Sequence, residues 1–190
     1  MEHRIALPLT KKYIEALKSG DTALLSGIIY TARDAAHKRM MRLLSAHQPL
    51  PFPISDATIY YVGPTPAKPG QIIGSAGPTT SCRMDAYSPI LLDLGQRGVI
   101  GKGRISADVI EAIRRNCGVY FGATGGAGAL IRQCIKKAEV VAFDDLGPEA
   151  IYRLEVLDFP VVVIVDCHGN NLYDSGPEAY LRSIKTLPPL

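Results

Sequence analysis

The chain has 190 residues, a net charge of +3, 47% apolar residues and 21% charged residues. That is enough for one sizeable core, and the expectation is a single domain over residues 1–190, or one domain with a small appendage. Both signs of charge are scattered along the chain, and no basic run suggests a nucleic-acid face; the densest basic group is His37-Lys38-Arg39 with Arg42, on a helical pattern. No apolar run has the length of a membrane span. The opening MEHRIALPLT lacks the apolar stretch and cleavage pattern of a signal peptide. A cytoplasmic protein with no nucleic-acid and no membrane partner is therefore expected. The cysteines are Cys82, Cys117, Cys134 and Cys167, with no CxxC pair among them, so the expected metal ligands in this chain are none.

In chain order, GDTALLSGIIYTA (20–32) is β-branched and apolar and predicts a strand or strand pair. RDAAHKRMMRLLSAH (33–47) predicts a helix with Ala36, Met40, Leu43 and Leu44 on one face and Thr31 as its cap. ATIYYVG (57–63) reads as a strand and GPTPAKPG (63–70) as a punctuated loop. MDAYSPILLDLG (84–95) reads as a helix ended by Gly95. GVIGKG (98–103) is a short strand and a glycine turn, and SADVIEAIRRN (106–116) is a helix capped by Ser106. GVYFGAT (118–124) is a strand, and GGAGALIRQCI (125–135) a loop opening a helix. EVVAF and FPVVVIVD are strands, with GPEAIYRLEV between them read as helical. The alternation predicts an α/β fold, with apolar strands in the second half covered on both faces.

AGPTTSCRMDAYSP (76–89) is the densest polar stretch. With Gly77-Pro78 as a turn and a helix starting near Ser81, Thr80 or Ser81 would cap it and Thr79 would leave its hydroxyl free. Arg83 would sit in a first turn, where the helix dipole disfavours a cation and a bound anion would reverse the sign. Taken alone, Arg83 pairs with Asp85 or solvent, and Lys102 is a solvated turn lysine. Arg33, Arg83 and Lys102 each follow a strand, however, and ligands of α/β sheets sit beyond the carboxyl ends of strands. Three cations there suit a small molecule with more than one carboxylate. A threonine hydroxyl is a poor base on its own, so a reaction here needs a partner group from a metal or another chain. GATGGAGAL (122–130) has the wrong spacing for a dinucleotide fingerprint, and a tight turn for close helix packing explains it as well. His37 reads as a surface or satisfied histidine, and Tyr120 and Tyr173 as packing or rim residues.

AGPTTSCRMDAYSPILLDLGQRGVIGKG, YFGATGGAGAL and VVAFDDLGPEAIYRLEVLDFPVVVIVD, with the earlier SGIIYTARDAAHKRM, closely resemble the class I (iron–sulfur-dependent) fumarate hydratase and tartrate dehydratase family. The likeness is to its β subunit, equivalent to the C-terminal domain of the single-chain enzymes, and runs from about residue 5 to 185. It implies a swivelling β/β/α domain and a hydro-lyase acting on a dicarboxylate. It also implies a [4Fe–4S] cluster bound by a partner α subunit, with the active site between the two parts. The family's substrate-binding residues fall on Arg33, Thr80, Arg83 and Lys102, and its proposed base on Thr79, assisted by an aspartate of the other part. Cys82 stands where many relatives have a small residue. A heteromeric α/β assembly, often doubled, is implied, leaving homo-oligomerisation open. Fumarate to (S)-malate is the favoured reaction. L(+)-tartrate dehydration, a non-catalytic dicarboxylate-binding module and, more remotely, a nucleotide enzyme are the other readings. The paired threonines argue against plain binding, which needs cations and amides more than hydroxyls.

Overall fold

The computed structural model describes residues 1–185. The chain opens with β1 (Glu2–Ala6) and α1 (Lys11–Ala16), then β2 (Thr22–Thr31), α2 (Asp34–Ser45) and β3 (Thr58–Tyr60). A 3-10 turn at Ser81–Met84 precedes α3 (Ser88–Asp93), β4 (Gly98–Gly101), α4 (Ala107–Asn116) and β5 (Val119–Gly122). Next come α5 (Gly128–Ile131), β6 (Ile135–Ala142), a 3-10 turn at Asp144–Glu149, β7 (Ile151–Val165) and α6 (Leu172–Lys185).

One seven-stranded sheet has the order β1-β2-β3-β4-β5-β7-β6, with β2 also paired to β7. Strands β1 to β5 run parallel to their neighbours, and β7 is antiparallel to β2, β5 and β6. Because β7 pairs with both β2 and β5, the path β2–β3–β4–β5–β7 returns to β2 and closes a ring. The mixed α/β class expected from the alternation is the class observed.

The period-2 alternation of side chains divides the apolar residues between two cores. Tyr60, Ile100, Val119, Phe121, Leu154 and Phe159 pack in one cluster with Ile14 and Leu25. Their neighbours along the same strands, Ile59, Val99 and Tyr120, pack in the other with Met40 of α2, Leu92 of α3 and Ile113 of α4. Both faces of the central strands are thus covered, as the unbroken apolar runs predict. Ser106 caps α4 as expected, accepting the Val109 N–H.

Two expectations fail. The stretch GPEAIYRLEV is not a helix: Asp144–Glu149 is a 3-10 turn and Ile151 onward is strand. Ile151 and Leu154 are spaced as on a helix, but pairing with β2 on one edge and β6 on the other decides the conformation. The helix read over 84–95 is broken. Pro89 has no N–H for an i−4 carbonyl and its ring crowds that carbonyl, so a 3-10 turn ends at Met84 and α3 starts afresh with proline in its first turn.

The glycine-rich stretch serves close packing. A Cβ on Gly128 would lie 2.5 Å from Ser75 Oγ and 2.6 Å from the Gly77 nitrogen, and Gly128 O accepts the Ala76 N–H at 3.1 Å. Backbone cannot yield as a flexible side chain would. Gly128→Ala is expected to lower the stability of the chain by about 1–3 kcal/mol, read as a shift in the urea midpoint; an unchanged midpoint would mean that α5 packs loosely on residues 75–77.

Candidate active site

Parallel pairing puts the carboxyl ends of β2, β3, β4 and β5 on one side, side by side. The segments leaving those ends carry Arg33, Thr79 to Arg83, Lys102 and the 122–130 loop, so residues far apart in sequence meet there. Thr80 bridges Lys102 as a parallel pair, Thr79 N–H donates to Tyr61 O at 2.8 Å, and Ser81 N–H donates to Lys102 O at 2.9 Å. Ser81 is buried over Gly101, where a Cβ would collide with its Oγ. Its hydroxyl pairs with Tyr120 OH at 2.9 Å, and that phenol donates to Gly103 O at 2.8 Å. The Gly103 N–H donates to Tyr173 OH at 3.2 Å. Tyr120 and Tyr173, expected only to pack or line a rim, therefore hold the turn that presents Lys102.

Arg33 enters from α2. Its side chain lies across Gly63, where a Cβ would stand 2.7 Å from Nη1. Its Nη2 is 3.5 Å from Glu149 Oε1, while its Nε is buried without a hydrogen-bond partner. Arg83 donates from Nε to Asp34 Oδ1 at 2.8 Å. Asp34 Oδ2 lies 3.8 Å from Arg33 Nε, so this one carboxylate stands between the two guanidinium groups. Among the described residues, the hydroxyls of Thr79 and Thr80 and the Lys102 ammonium have no hydrogen-bond or ion-pair partner.

Several local expectations are corrected. Asp85 is not the partner of Arg83: its Oδ2 accepts the Ser106 N–H at 2.8 Å, and burial raises its pKa. Thr31 does not cap α2; its hydroxyl donates to Ala150 O and accepts from Tyr152 N–H. Arg33 is the N-cap residue, and the side chain that serves the helix end is Glu149, which accepts the Ala35 N–H at 2.9 Å. Neither Thr80 nor Ser81 makes a cap, and four residues of 3-10 turn build no appreciable dipole, so Arg83 is placed by Asp34 rather than by a helix terminus. No signal in the sequence pointed to Asp34 or Glu149 as members of the site.

His37 is fully buried beneath Arg33. Its Nδ1 lies 2.9 Å from Arg33 O, which can only accept, so Nδ1 carries the proton and Nε2 is left without a partner. The ring meets Tyr61 edge-on and stacks near Tyr87. Burial disfavours the imidazolium and lowers its pKa to about 4.

Gly125 of the glycine-rich loop borders Lys102, with a Cβ position 3.7 Å from Nζ. Clefts of about 250–280 Å³ flank the 64–73 loop and contain none of Arg33, Thr79, Thr80, Arg83 or Lys102. The polar face is none of these clefts; on it Thr80 and Arg83 are exposed and Arg33, Thr79 and Lys102 half-buried. The cysteines do not form a metal site. Cys82 is exposed, Cys167 is buried with its pKa pushed up to about 11, and no group of three or more His, Cys, Asp or Glu able to hold a metal occurs among the described residues. The residues present do not fit an iron–sulfur cluster. No helix among them is long and apolar enough to cross a membrane.

Three cations and two hydroxyls unpartnered among the described residues thus stand at the carboxyl ends of adjacent parallel strands of an α/β domain. Residues 2–176 match the Fumarase C-terminus family, and the chain belongs to that family. It is 38% identical over 172 residues to a protein of Methanocaldococcus jannaschii provisionally named L(+)-tartrate dehydratase subunit beta, covering 87% of this chain and 88% of the relative. It is 42% identical over 151 residues to the anaerobic class I fumarate hydratase of Escherichia coli and 40% identical over 152 residues to fumarate hydratase 1, mitochondrial, of Leishmania major. Those alignments cover 78% and 79% of this chain but only 28% of each relative, so the chain spans under a third of these two fumarate hydratases.

The buried imidazole gives a test of the site's foundation. An unfolded histidine titrates near 6.5, and His37 in the fold at about 4. Its contribution is fully present above pH 6.5 and is lost as pH falls toward 4, to an extent of about 3 kcal/mol. Urea unfolding of wild type and His37→Gln between pH 7 and pH 4.5 is expected to show a decline in the wild type that the variant lacks; parallel curves would mean that the imidazole is hydrated.

Proposed function

We propose that this chain is the β subunit of a hydro-lyase that reversibly hydrates fumarate to (S)-malate, acting with an α subunit that carries a [4Fe–4S] cluster. The observation that supports it most is the meeting of Arg33, Thr79, Thr80, Arg83 and Lys102 at neighbouring strand ends, on the positions where the family resemblance sets its site residues. The name of the M. jannaschii relative, a subunit beta, supports reading this chain as a β subunit. The ring of strands, with helices packed on the outside of β3 to β5, is what a swivelling β/β/α domain would have, and the single domain expected over 1–190 is that domain in this reading, with 186–190 outside the described residues. A cytoplasmic setting goes with it.

In this reading Arg33, Arg83 and Lys102 hold the two carboxylates of the substrate. Arginine suits the task because its planar fork offers paired N–H donors. Thr80 donates its hydroxyl to the substrate. Thr79 moves the proton at carbon: in dehydration its Oγ takes the proton from the C–H, and in hydration it returns it. Asp85 and Asp34 are already engaged with Ser106 N–H and Arg83, so the group that draws the proton onward from Thr79 comes from the partner, as the family resemblance implies. The cluster of the α subunit would supply Lewis-acid chemistry toward the substrate hydroxyl. Docking of the α subunit over the polar face would exclude water and strengthen each of these charge interactions.

L(+)-tartrate is the second reading, favoured by the name of the M. jannaschii relative. The test mixes this chain with its α subunit after anaerobic cluster reconstitution and follows fumarate absorbance, then dehydration of L(+)-tartrate. Activity is expected only with both chains. Thr79→Val is expected to lower kcat by about 10²–10⁴-fold, the usual worth of acid–base catalysis, with KM little changed. Full activity of this chain alone, or a cluster-loaded complex inert toward both substrates, would overturn the proposal.

A further inference from the structure

The turn Asp144–Glu149 packs on the first turns of α2 through several contacts. Arg39 meets Asp145 with two bonds of 2.6 and 2.7 Å and lies over the Phe143 ring at 4.9 Å. Glu149 goes furthest into the site. Its Oε2 accepts the Ala35 N–H at 2.9 Å, and its Oε1 faces Arg33 Nη2 at 3.5 Å. Pro148 O lies 3.2 Å from where a Cβ of Gly63 would stand, so the turn and Gly63 together bound the channel in which the Arg33 side chain runs. Arg33 needs such support. Its Nε has no acceptor within the described residues, and Asp34, the other nearby carboxylate, bonds to Arg83.

We propose that Glu149 is a positioning residue for substrate binding, whose two oxygens tie the Arg33 guanidinium and the start of α2 to one turn and so aim Arg33 at the carboxylate it receives. The inference rests on the reading that Arg33 takes a substrate carboxylate. Glu149 touches no substrate; it acts through Arg33 by charge and through α2 by its bond to Ala35. These two actions separate experimentally. Glu149→Gln keeps an amide oxygen for the Ala35 N–H but removes the charge that faces Arg33.

The experiment measures kcat and KM of the cluster-loaded complex for the dicarboxylate it turns over, with wild type, Glu149→Gln, Arg33→Gln and the double variant. Arg33→Gln is expected to raise KM at least about tenfold, the worth of a charge-assisted bond. Glu149→Gln is expected to raise KM about three- to tenfold with kcat within about twofold, the pattern of lost binding rather than lost chemistry. In the Arg33→Gln background it is expected to add nothing, since its partner is gone. A KM rise that persists undiminished in that background would assign Glu149 a purely structural role and overturn the proposal. So would an unchanged KM in Glu149→Gln beside a raised KM in Arg33→Gln. An unchanged KM in Arg33→Gln would instead overturn the carboxylate reading of Arg33. Nitrogen NMR of the arginine Nη groups in the full chain reads the same Nη2–Glu149 link without turnover. The Arg33 signal is expected to be slow to exchange in wild type and to merge into solvent exchange in Glu149→Gln; an unaltered signal would count against Glu149 whatever the complex does.

Discussion

The double pairing of β7 is the constraint on which the rest depends. Along one edge it runs antiparallel to β2 from Thr22 to Tyr30; along the other it pairs with β5 and then β6. That closes the ring, and a ring of parallel strands from β2 to β5 has all its carboxyl ends on one rim. Every polar group of the site hangs from that rim. Closure also fixes the inner apolar cluster, where Leu154, Val156, Phe159, Val161 and Val163 of β7 meet Tyr60, Ile100 and Phe121. A strand with a bulge and a partner on each side is costly to displace, so the rim it sets is rigid enough to hold side chains in fixed relation.

The site on that rim is a balance of charge. Arg33, Arg83 and Lys102 face Asp34 and Glu149, which leaves the ammonium of Lys102 uncompensated among the described residues and the guanidinium groups oriented but only partly engaged. Such an arrangement keeps the guanidinium groups in place and leaves some of their donors without a partner among the described residues. Beneath it lies a layer of neutral hydrogen bonds: His37 to Arg33 O, Ser81 to Tyr120, Tyr61 OH to Ser88 Oγ at 2.7 Å. Each buried phenol has its pKa raised by desolvation, so this layer does not ionise over the range in which the site would work.

Much of this was legible in the sequence. The strands 22–31 and 119–122, the helices 34–45 and 107–116, and the placing of Arg33, Arg83 and Lys102 at strand ends follow from periodicity, turn residues and strand-end placement, while Thr79 and Thr80 join them through the family resemblance. The first half of β7 did not, because Glu, Arg and Leu at helical spacing carry no trace of the two edges that would pair with them. Glu149 and Asp34 did not either. A carboxylate near an arginine in sequence is commonplace, and the meeting of Glu149 with Arg33 exists only once β7 has brought its preceding turn back onto α2. Local pattern reports what a segment prefers; these contacts depend on what the ring imposes.

The bond from Glu149 to Ala35 spans 114 residues. The first turn of the helix carrying Arg33 is therefore finished by a residue made long after it. At roughly 5–20 residues per second on the ribosome, about ten seconds separate the two. Throughout that interval the nascent chain holds the arginine without its support, and the strand that follows Glu149 is also the one that closes the ring. Closure of the ring and completion of the first turn of α2 thus come as a single late event, and a chain stopped short of it would have neither the closed ring nor the Glu149 contacts to Arg33 and Ala35.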